Sequence, residues 1–350
     1  MSESSPSFQG QLCVVTGAGG FIGSHLVELL LAHGARVRAL VHYNALGSIG
    51  HLAEVVVREM EDGLKPALQT LGRLEIMAGD VRDTRCMRNL VKGAHAVFHL
   101  AALIGIPYSY AAPESYVDTN VRGTLNVLEA CREAAVGRIL HTSTSEVYGS
   151  ARHVPMDERH PLQAQSPYAA TKIAADKLAE AYALSYGLPA TTVRPFNTYG
   201  PRQSLRAVVP TILAQALSPA CKCIEVGALH PVRDLTFVED TARAFCEIAA
   251  APLETVRGRL YNLGMGRGVT IAELVELARK VTGATKPVVE KEERRRPEDS
   301  EVQQLVCDPS RVEREVGWKA AISLEEGLRR TAEYLRRNPP DPRALSHYTV

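Results

Sequence analysis

The tightest constraint on this fold is a glycine turn set between a short apolar run and a helical stretch near the N-terminus. Gln11 to Thr16 is apolar enough for a buried strand. Gly17-Ala18-Gly19-Gly20-Phe21-Ile22-Gly23 follows, and Ser24 to His33 then carries apolar residues at helical spacing. Glycine lets a backbone approach a pyrophosphate closely, and the N-terminus of the next helix stabilises its charge. The spacing, G-x-x-G-x-x-G, differs slightly from the commonest dinucleotide fingerprint. A plain tight turn can use the same residues, so the weight of the cofactor reading comes from the alternation of strands and helices that follows.

Arg36 to Val41 reads as the second strand. A dinucleotide fold usually sets an Asp or Glu against the adenosine ribose at its end. Here the chain reads Val41-His42-Tyr43-Asn44 and the next acid is Glu54, which leaves NAD and NADP both open, with His42 and Asn44 assigned to the cofactor. The long crossover from Ala45 to Gly72 holds one helical patch, Leu52 to Met60. A third strand is expected near Leu74 to Ala78, followed by Gly79-Asp80-Val81, where Asp80 either holds the adenine amino group or caps a helix. Ala96 to Leu100 is the fourth strand. It ends in His99-Leu100-Ala101-Ala102, small enough for a cofactor to lie against. Ser115 to Ala135 reads as one long helix. Arg138 to Thr142 is the fifth strand, Pro167 to Tyr186 a helix, and Ala190 to Arg194 the sixth strand.

The fifth strand delivers Ser143-Thr144-Ser145-Glu146-Val147-Tyr148-Gly149 to the carboxyl edge of the sheet, where ligands bind in parallel α/β folds. Tyr168 and Lys172, four apart on the next helix, share a face. A free tyrosine titrates at about pH 10, too high for a base at neutrality. A nearby ammonium favours the phenolate and moves it toward acid–base work. An amphipathic helix that happens to carry a Tyr and a Lys has the same letters, and the upstream hydroxyl-rich stretch favours the catalytic reading.

Beyond Arg194 the alternation loosens. Pro195 to Arg202 is rich in turn formers. Val208 to Leu217 reads as helix, Arg233 to Val238 as a short strand, and Ile271 to Val281 and Leu324 to Arg336 as amphipathic surface helices. Asn338 to Val350 has three prolines and reads as a loose tail. The expected fold is α/β: a doubly wound Rossmann parallel sheet over residues 1–195 and a smaller C-terminal α/β substrate lobe over 196–337, with some chain crossing between the lobes.

Charge and cysteine usage exclude several classes. The 350 residues hold 40 basic and 39 acidic side chains. Arg294-Arg295-Arg296, among acids, reads as a solvated loop, so no nucleic-acid partner is expected. No apolar stretch approaches the roughly 20 residues that span a bilayer, and Met1 to Gly10 lacks a signal-peptide core. The seven cysteines are scattered. Cys221-x-Cys223 has no companion pair or His cluster to complete a zinc site, so no metal is expected, and the thiols read as reduced in a cytoplasmic protein.

Taken together, Thr16 to Gly23, Gly79-Asp80-Val81, His99 to Ala102, Ser143 with Tyr168 and Lys172, and Arg194-Pro195-Phe196-Asn197 resemble the extended short-chain dehydrogenase/reductase family of nucleotide-sugar epimerases and dehydratases. Arg233-Asp234 and Arg296-Pro297 match later nucleotide-sugar contacts. Ile106 to Tyr110, Ser143 to Gly149 and Asn197 to Gln203 look most like the NDP-N-acetylglucosamine 4,6-dehydratases of the legionaminic-acid type. The resemblance implies NAD held by Gly17, Gly20, Phe21, Ile22, Gly23, Asp80, Val81, Leu100, Ala101, Ala102, Tyr168 and Lys172. It implies a UDP-, GDP- or dTDP-linked sugar held by Asn197, Arg206, Val209, Arg233 and Arg296, and a homodimer built on the helices Ser115 to Ala135 and Pro167 to Tyr186.

The mechanism so implied has Tyr168, helped by Lys172 and Ser143, take the proton from the sugar 4-hydroxyl as C4 is oxidised. Glu146, three residues beyond Ser143 and just past the strand end, then removes the C5 proton of the 4-ketone and water leaves from C6; Thr144 and Ser145, which precede it, are counted among the catalytic residues. One departure bears on this. The dTDP-glucose 4,6-dehydratases have Asp-Glu where this chain has Ser145-Glu146, and a serine is a far weaker acid. Ser-Glu also occurs in UDP-glucuronate decarboxylases, where an arginine holds the carboxylate; Arg202 and Arg206 are the candidates here. A 4-epimerase needs only Ser143, Tyr168 and Lys172. A redox-inactive binding scaffold, the remaining alternative, has no use for an activated phenol.

Overall fold

The computed structural model describes residues 6–61, 70–294 and 302–346. Seven parallel strands form the main sheet, in the order Leu260–Leu263, Ala190–Pro195, Arg138–Thr142, Ala96–His99, Leu12–Thr16, Arg36–His42 and Leu74–Gly79. A two-residue strand, Thr70–Leu71, adds an antiparallel edge. The order in which successive strands are added reverses between Leu12–Thr16 and Ala96–His99, which pair directly and in parallel. Ligand crevices open at such switch points in doubly wound sheets.

Each central strand is buried on both faces, which is why it reads as a continuous apolar run. Side chains alternate: Cys13, Val15, Phe98 and Leu140 join one cluster, whereas Val14, Val97 and Ile139 join the cluster on the opposite face. Helices Phe21–Ala32 and Val238–Ala250 cover the first face. Helices Thr84–Leu90, Gly123–Glu133 and Pro167–Tyr186 cover the second.

The smaller lobe has its own core. Helices Val208–Leu217, Ile271–Thr282 and Leu324–Arg337 bury their apolar faces with strands Ile224–Val226 and Val232–Phe237. Thr270 and Glu273 form a capping box at the start of the second of these helices. The chain returns to the large sheet over residues 238–263, and Trp318 and Val312 pack into the large lobe's core. Trp318 is fully buried and its indole N–H donates to the Asp240 carbonyl at 3.1 Å. The Asp240 carboxylate accepts the backbone N–H groups of Ala321 and Ile322.

Two expectations are corrected. The long helix of Ser115 to Ala135 is not uniform: Pro113–Tyr116 runs into a π turn, Val117–Arg122, before regular helix resumes at Gly123. The extra residue aims Asn120 inward, where it is buried and bonds both backbone groups of Leu103. The tail is not loose throughout: Pro342–Ser346 is helical, because Leu345 finds a place in the smaller lobe's core.

Trp318 therefore anchors the C-terminal segment to the large lobe. Trp318→Ala is expected to cost about 3–5 kcal/mol, read as a lower urea midpoint by circular dichroism; an unchanged midpoint would contradict this packing role.

Candidate active site

At the switch point, the glycine turn leaves no room for side chains. Gly17 has a φ of +69°, and a Cβ there would meet the Ala101 nitrogen at 2.8 Å. A Cβ on Gly23 would lie 2.2 Å from the Gly17 carbonyl oxygen. The helix that follows has no side-chain cap and no acid in its first turn, so its N–H groups and dipole suit a phosphate. Phe21 and Ile22, on its first turn, pack against the smaller lobe's core.

The strand ends are tied together by a hydrogen-bond chain whose directions follow from the groups themselves. Thr124 donates to the Asn120 carbonyl (2.7 Å), so its Oγ1 must accept from His99 Nε2 (3.0 Å). His99 Nδ1 then accepts from Thr16 Oγ1 (2.8 Å), and Thr16 Oγ1 accepts from the backbone N–H groups of Leu100 and Ala101, both at 3.1 Å. Burial keeps His99 neutral, well below its ordinary pKa. This chain fixes Leu100 and Ala101 beside the glycine turn, with Ala102 next in sequence.

Farther out, Asp80 accepts from the Arg82 backbone and guanidinium, which hold its carboxyl below its usual range despite partial burial, and lies 3.8 Å from His42. The helix cap there is Asp83, not Asp80. Asn44 spends its amide on its own loop, bonding His42 and Ser48. Val81 is buried, and a Cβ on Gly123 would come within 2.7 Å of it.

Tyr168 and Lys172 sit together on the first turns of Pro167–Tyr186, both buried. Two expectations about them are corrected. The hydroxyl that hydrogen-bonds Tyr168 is Thr144, whereas Ser143 points away and donates to Asp176 Oδ2 at 2.7 Å. Nor does the phenol end below its ordinary value in this site. Burial is the largest influence and raises Tyr168 above its ordinary value; the Thr144 bond opposes this and the charge of Glu146 adds to it. Lys172 donates to the Thr142 carbonyl at 2.5 Å, and burial brings it down to about 8.

Thr144, Ser145 and Glu146 lie on one short 3₁₀ turn, Ser145–Tyr148, whose N-cap is Thr144 itself. Ser145 is buried and Glu146 half-buried. Tyr116 stacks edge-on against Tyr168 with centroids 6.3 Å apart and donates to the Gly105 carbonyl at 2.5 Å. Ile106 and Leu103 close this wall. Tyr116 and Asp176 were not singled out in the sequence. Asp176 had a signal, eight residues after Tyr168 on the same helical face; Tyr116 had none.

On the substrate side, the Asn197 side-chain nitrogen is buried without a partner among the described residues, an arrangement that suits a ligand acceptor. Arg206 is exposed and close enough to Tyr116 for its charge to act on that phenol. Arg233 is buried and donates to the Val232 carbonyl. Val209 is buried in the smaller lobe's core, and Arg296 lies outside the described residues. Arg202 is not available to a substrate: it is buried and paired with Glu28 (2.8 Å) and Glu54 (3.2 Å).

The family model described as GDP-mannose 4,6 dehydratase matches residues 14–331. A dTDP-glucose 4,6-dehydratase of Streptomyces griseus is 33% identical over 325 residues, 93% of this chain and 94% of that protein. A UDP-glucose 4-epimerase of Mycolicibacterium smegmatis is 32% identical over 327 residues, 92% of this chain and 98% of that one. A dTDP-glucose 4,6-dehydratase from Streptomyces venezuelae, solved with NAD bound, superposes with a TM-score of 0.81 at 30% identity, covering 94% of this chain and 98% of that chain.

The geometry assigns the hydroxyl partner of Tyr168 to Thr144. Thr144→Val, which keeps the shape and removes the hydroxyl, is expected to lower kcat by roughly 10- to 100-fold with KM little changed, the loss of one hydrogen bond made in the transition state. A wild-type kcat would return the role to Ser143.

Proposed function

This chain belongs to the GDP-mannose 4,6 dehydratase family of NAD-dependent, nucleotide-sugar-modifying enzymes, and we propose that it is a nucleotide-sugar 4,6-dehydratase acting on an NDP-N-acetylhexosamine in the cytoplasm. The observation that carries this reading is the single turn that sets Thr144 in a hydrogen bond with Tyr168 and brings the Glu146 carboxylate within electrostatic reach of the same phenol. An oxidising base and a second proton acceptor thus serve one sugar ring.

NAD, when bound, would supply a hydride acceptor for C4 and a hydride donor for C6. Gly17, Gly20 and Gly23 leave room for its pyrophosphate, and Leu100 to Ala102 border it. Tyr168 removes the proton from O4, and Lys172 stabilises the phenolate that does so. The resulting 4-ketone acidifies the C5–H bond, Glu146 takes that proton, and the C6 hydroxyl leaves as water. With Ser145 in place of a carboxylic acid, Glu146 itself delivers the proton to the leaving oxygen. The apolar wall of Leu103, Ile106 and Tyr116 suits the methyl of an acetamido group, which supports the N-acetylhexosamine and the legionaminic-acid-type resemblance. All seven cysteines are free thiols, five of them buried, which suits a reducing compartment.

A second reading is 4-epimerisation. It is favoured by buried Ser145, which supplies no strong acid, and by relatives that are UDP-glucose 4-epimerases. A decarboxylase is less favoured, since Arg202 is held by two carboxylates and only Arg206 is left of the two candidates.

Incubation with a panel of UDP-, GDP- and dTDP-sugars should give one product lighter by one water. Glu146→Gln should still oxidise C4 and accumulate bound NADH with a 4-keto sugar, while water loss slows by roughly 10²- to 10⁴-fold. Dehydration by Glu146→Gln at the wild-type rate, or a product of unchanged mass from wild type, would move the assignment to the epimerase.

We also propose a homodimer on the outer faces of Gly123–Glu133 and Pro167–Tyr186. Leu125 and Ile173 are only half-buried there, and Leu184 and Tyr186 are exposed, an apolar surface that suits a partner. Light scattering at micromolar concentration should give twice the chain mass of 38.0 kDa; a monomer mass would contradict it.

A further inference from the structure

Behind the catalytic turn lies a buried carboxylate that the chemistry above does not use. Asp176 is two helical turns beyond Tyr168 and one beyond Lys172, on the same face of Pro167–Tyr186. Its side chain is 5% exposed. Its Oδ2 accepts from Ser143 Oγ at 2.7 Å and from Arg194 Nη2 and Nε at 2.8 and 3.1 Å. Its Oδ1 meets His141 Nε2 at 3.0 Å. A carboxylate only accepts, so Nε2 carries the proton of that imidazole, and His141 Nδ1 is left bare, without a partner among the described residues. Two strands and the catalytic helix therefore meet on one carboxylate, drawing on side chains from the Arg138–Thr142 strand and its end and from Ala190–Pro195.

We propose that Asp176 is a positioning residue for the oxidation step: through Ser143 it sets the face that the catalytic turn presents, and through its charge it keeps Lys172 protonated. The first part follows from strand parity. His141 and Ser143 are two apart at the end of one strand, so they share a side. Asp176 holds both, which turns Thr144 to the opposite side, toward Tyr168. The second part follows from what surrounds Lys172. Burial disfavours its ammonium, the buried imidazoles of His99 and His141 lie near it on two strands, and among the described residues Asp176 is the one anion acting on it. The Arg194 guanidinium faces Asp176, not Lys172, and has the ring of Tyr148 at 4.8 Å on its other side. A protonated Lys172 is what makes the Tyr168 phenolate accessible. Its loss on raising pH therefore ends activity, and weakening its anion brings that loss to lower pH.

This inference rests on the assignment of Tyr168 and Lys172 to C4 oxidation, not on whether dehydration or epimerisation follows. The test uses NAD-loaded protein. The ¹³Cε resonance of Lys172, identified by its absence in Lys172→Arg, is titrated in wild type, Asp176→Asn and Ser143→Ala, and kcat is followed against pH with whichever nucleotide-sugar wild type converts. In Asp176→Asn the lysine midpoint and the alkaline limb of kcat are expected to fall together, by about one pH unit or more. In Ser143→Ala both should stay in place while kcat drops roughly tenfold at every pH, with KM unchanged. Asp176→Asn leaves Arg194 as an unpaired buried charge. If that variant does not fold, Asp176→Asn/Arg194→Gln removes both charges and must show the same fall in midpoint. A midpoint equal to wild type in the folded variant would overturn the electrostatic role, and a wild-type kcat in Ser143→Ala would overturn the positioning role. The resonance titration needs no substrate, so it stands even if the proposed reaction is wrong.

Discussion

The carboxylate of Asp176 is the constraint on which the site's arrangement depends. A charge taken so far out of water is costly unless it is paired and hydrogen-bonded. Here burial alone would raise its pKa, but the His141 hydrogen bond and the charges of Arg194 and Lys172 outweigh that and bring it to about 2. The carboxylate is thus ionised throughout the range in which the protein works. Because it is satisfied from two strands and sits on the catalytic helix, helix and strands cannot slide independently. That rigidity suits a site that must hold a sugar ring against both a phenol and a carboxylate.

A second buried ion cluster joins the two lobes. Arg202, in the left-handed region with φ of 69°, reaches from the smaller lobe to Glu28, Glu54 and Ser24 of the large lobe's first two helices. Tyr334 adds a hydrogen bond to Glu54, and His25 meets the Pro201 carbonyl. The segment between Asn197 and Arg206 therefore takes its position from the glycine-turn helix. The glycine-turn helix and the Asn197–Arg206 segment are parts of one frame, and Trp318 closes the same frame from the C-terminal side. For this reason a boundary drawn at residue 195 describes the sheet's chemistry better than its packing: the strand Leu260–Leu263 and the helix Val238–Ala250 belong to the large lobe by contact.

Much of this was legible from residue pattern. Six of the seven parallel strands announced themselves as apolar runs because both faces are covered, whereas the edge strand Leu260–Leu263 was not read, and Pro167 marked the first turn of its helix because proline fits there without losing a hydrogen bond. Tyr168 and Lys172 share a face as their spacing required. Which hydroxyl meets the phenol was a question of parity. Three consecutive hydroxyls, Thr142, Ser143 and Thr144, end one strand, and composition cannot say which faces the phenol; the neighbouring His141, paired with Asp176, decides it. The π turn at Val117–Arg122 left no trace in the sequence, since one extra residue per turn does not change an apolar pattern. Leu345 escaped notice because one apolar residue among prolines looks like tail until a groove is present to receive it.

The titration behaviour of the pair shows what the site is built to do. Burial pushes Tyr168 up and Lys172 down, so each is driven toward its neutral form. A phenol and an amine that were both neutral would do nothing for a sugar alcohol. Asp176 opposes this on the lysine side, and the Thr144 hydrogen bond opposes it on the tyrosine side. Glu146 works against the phenolate, since two neighbouring anions repel.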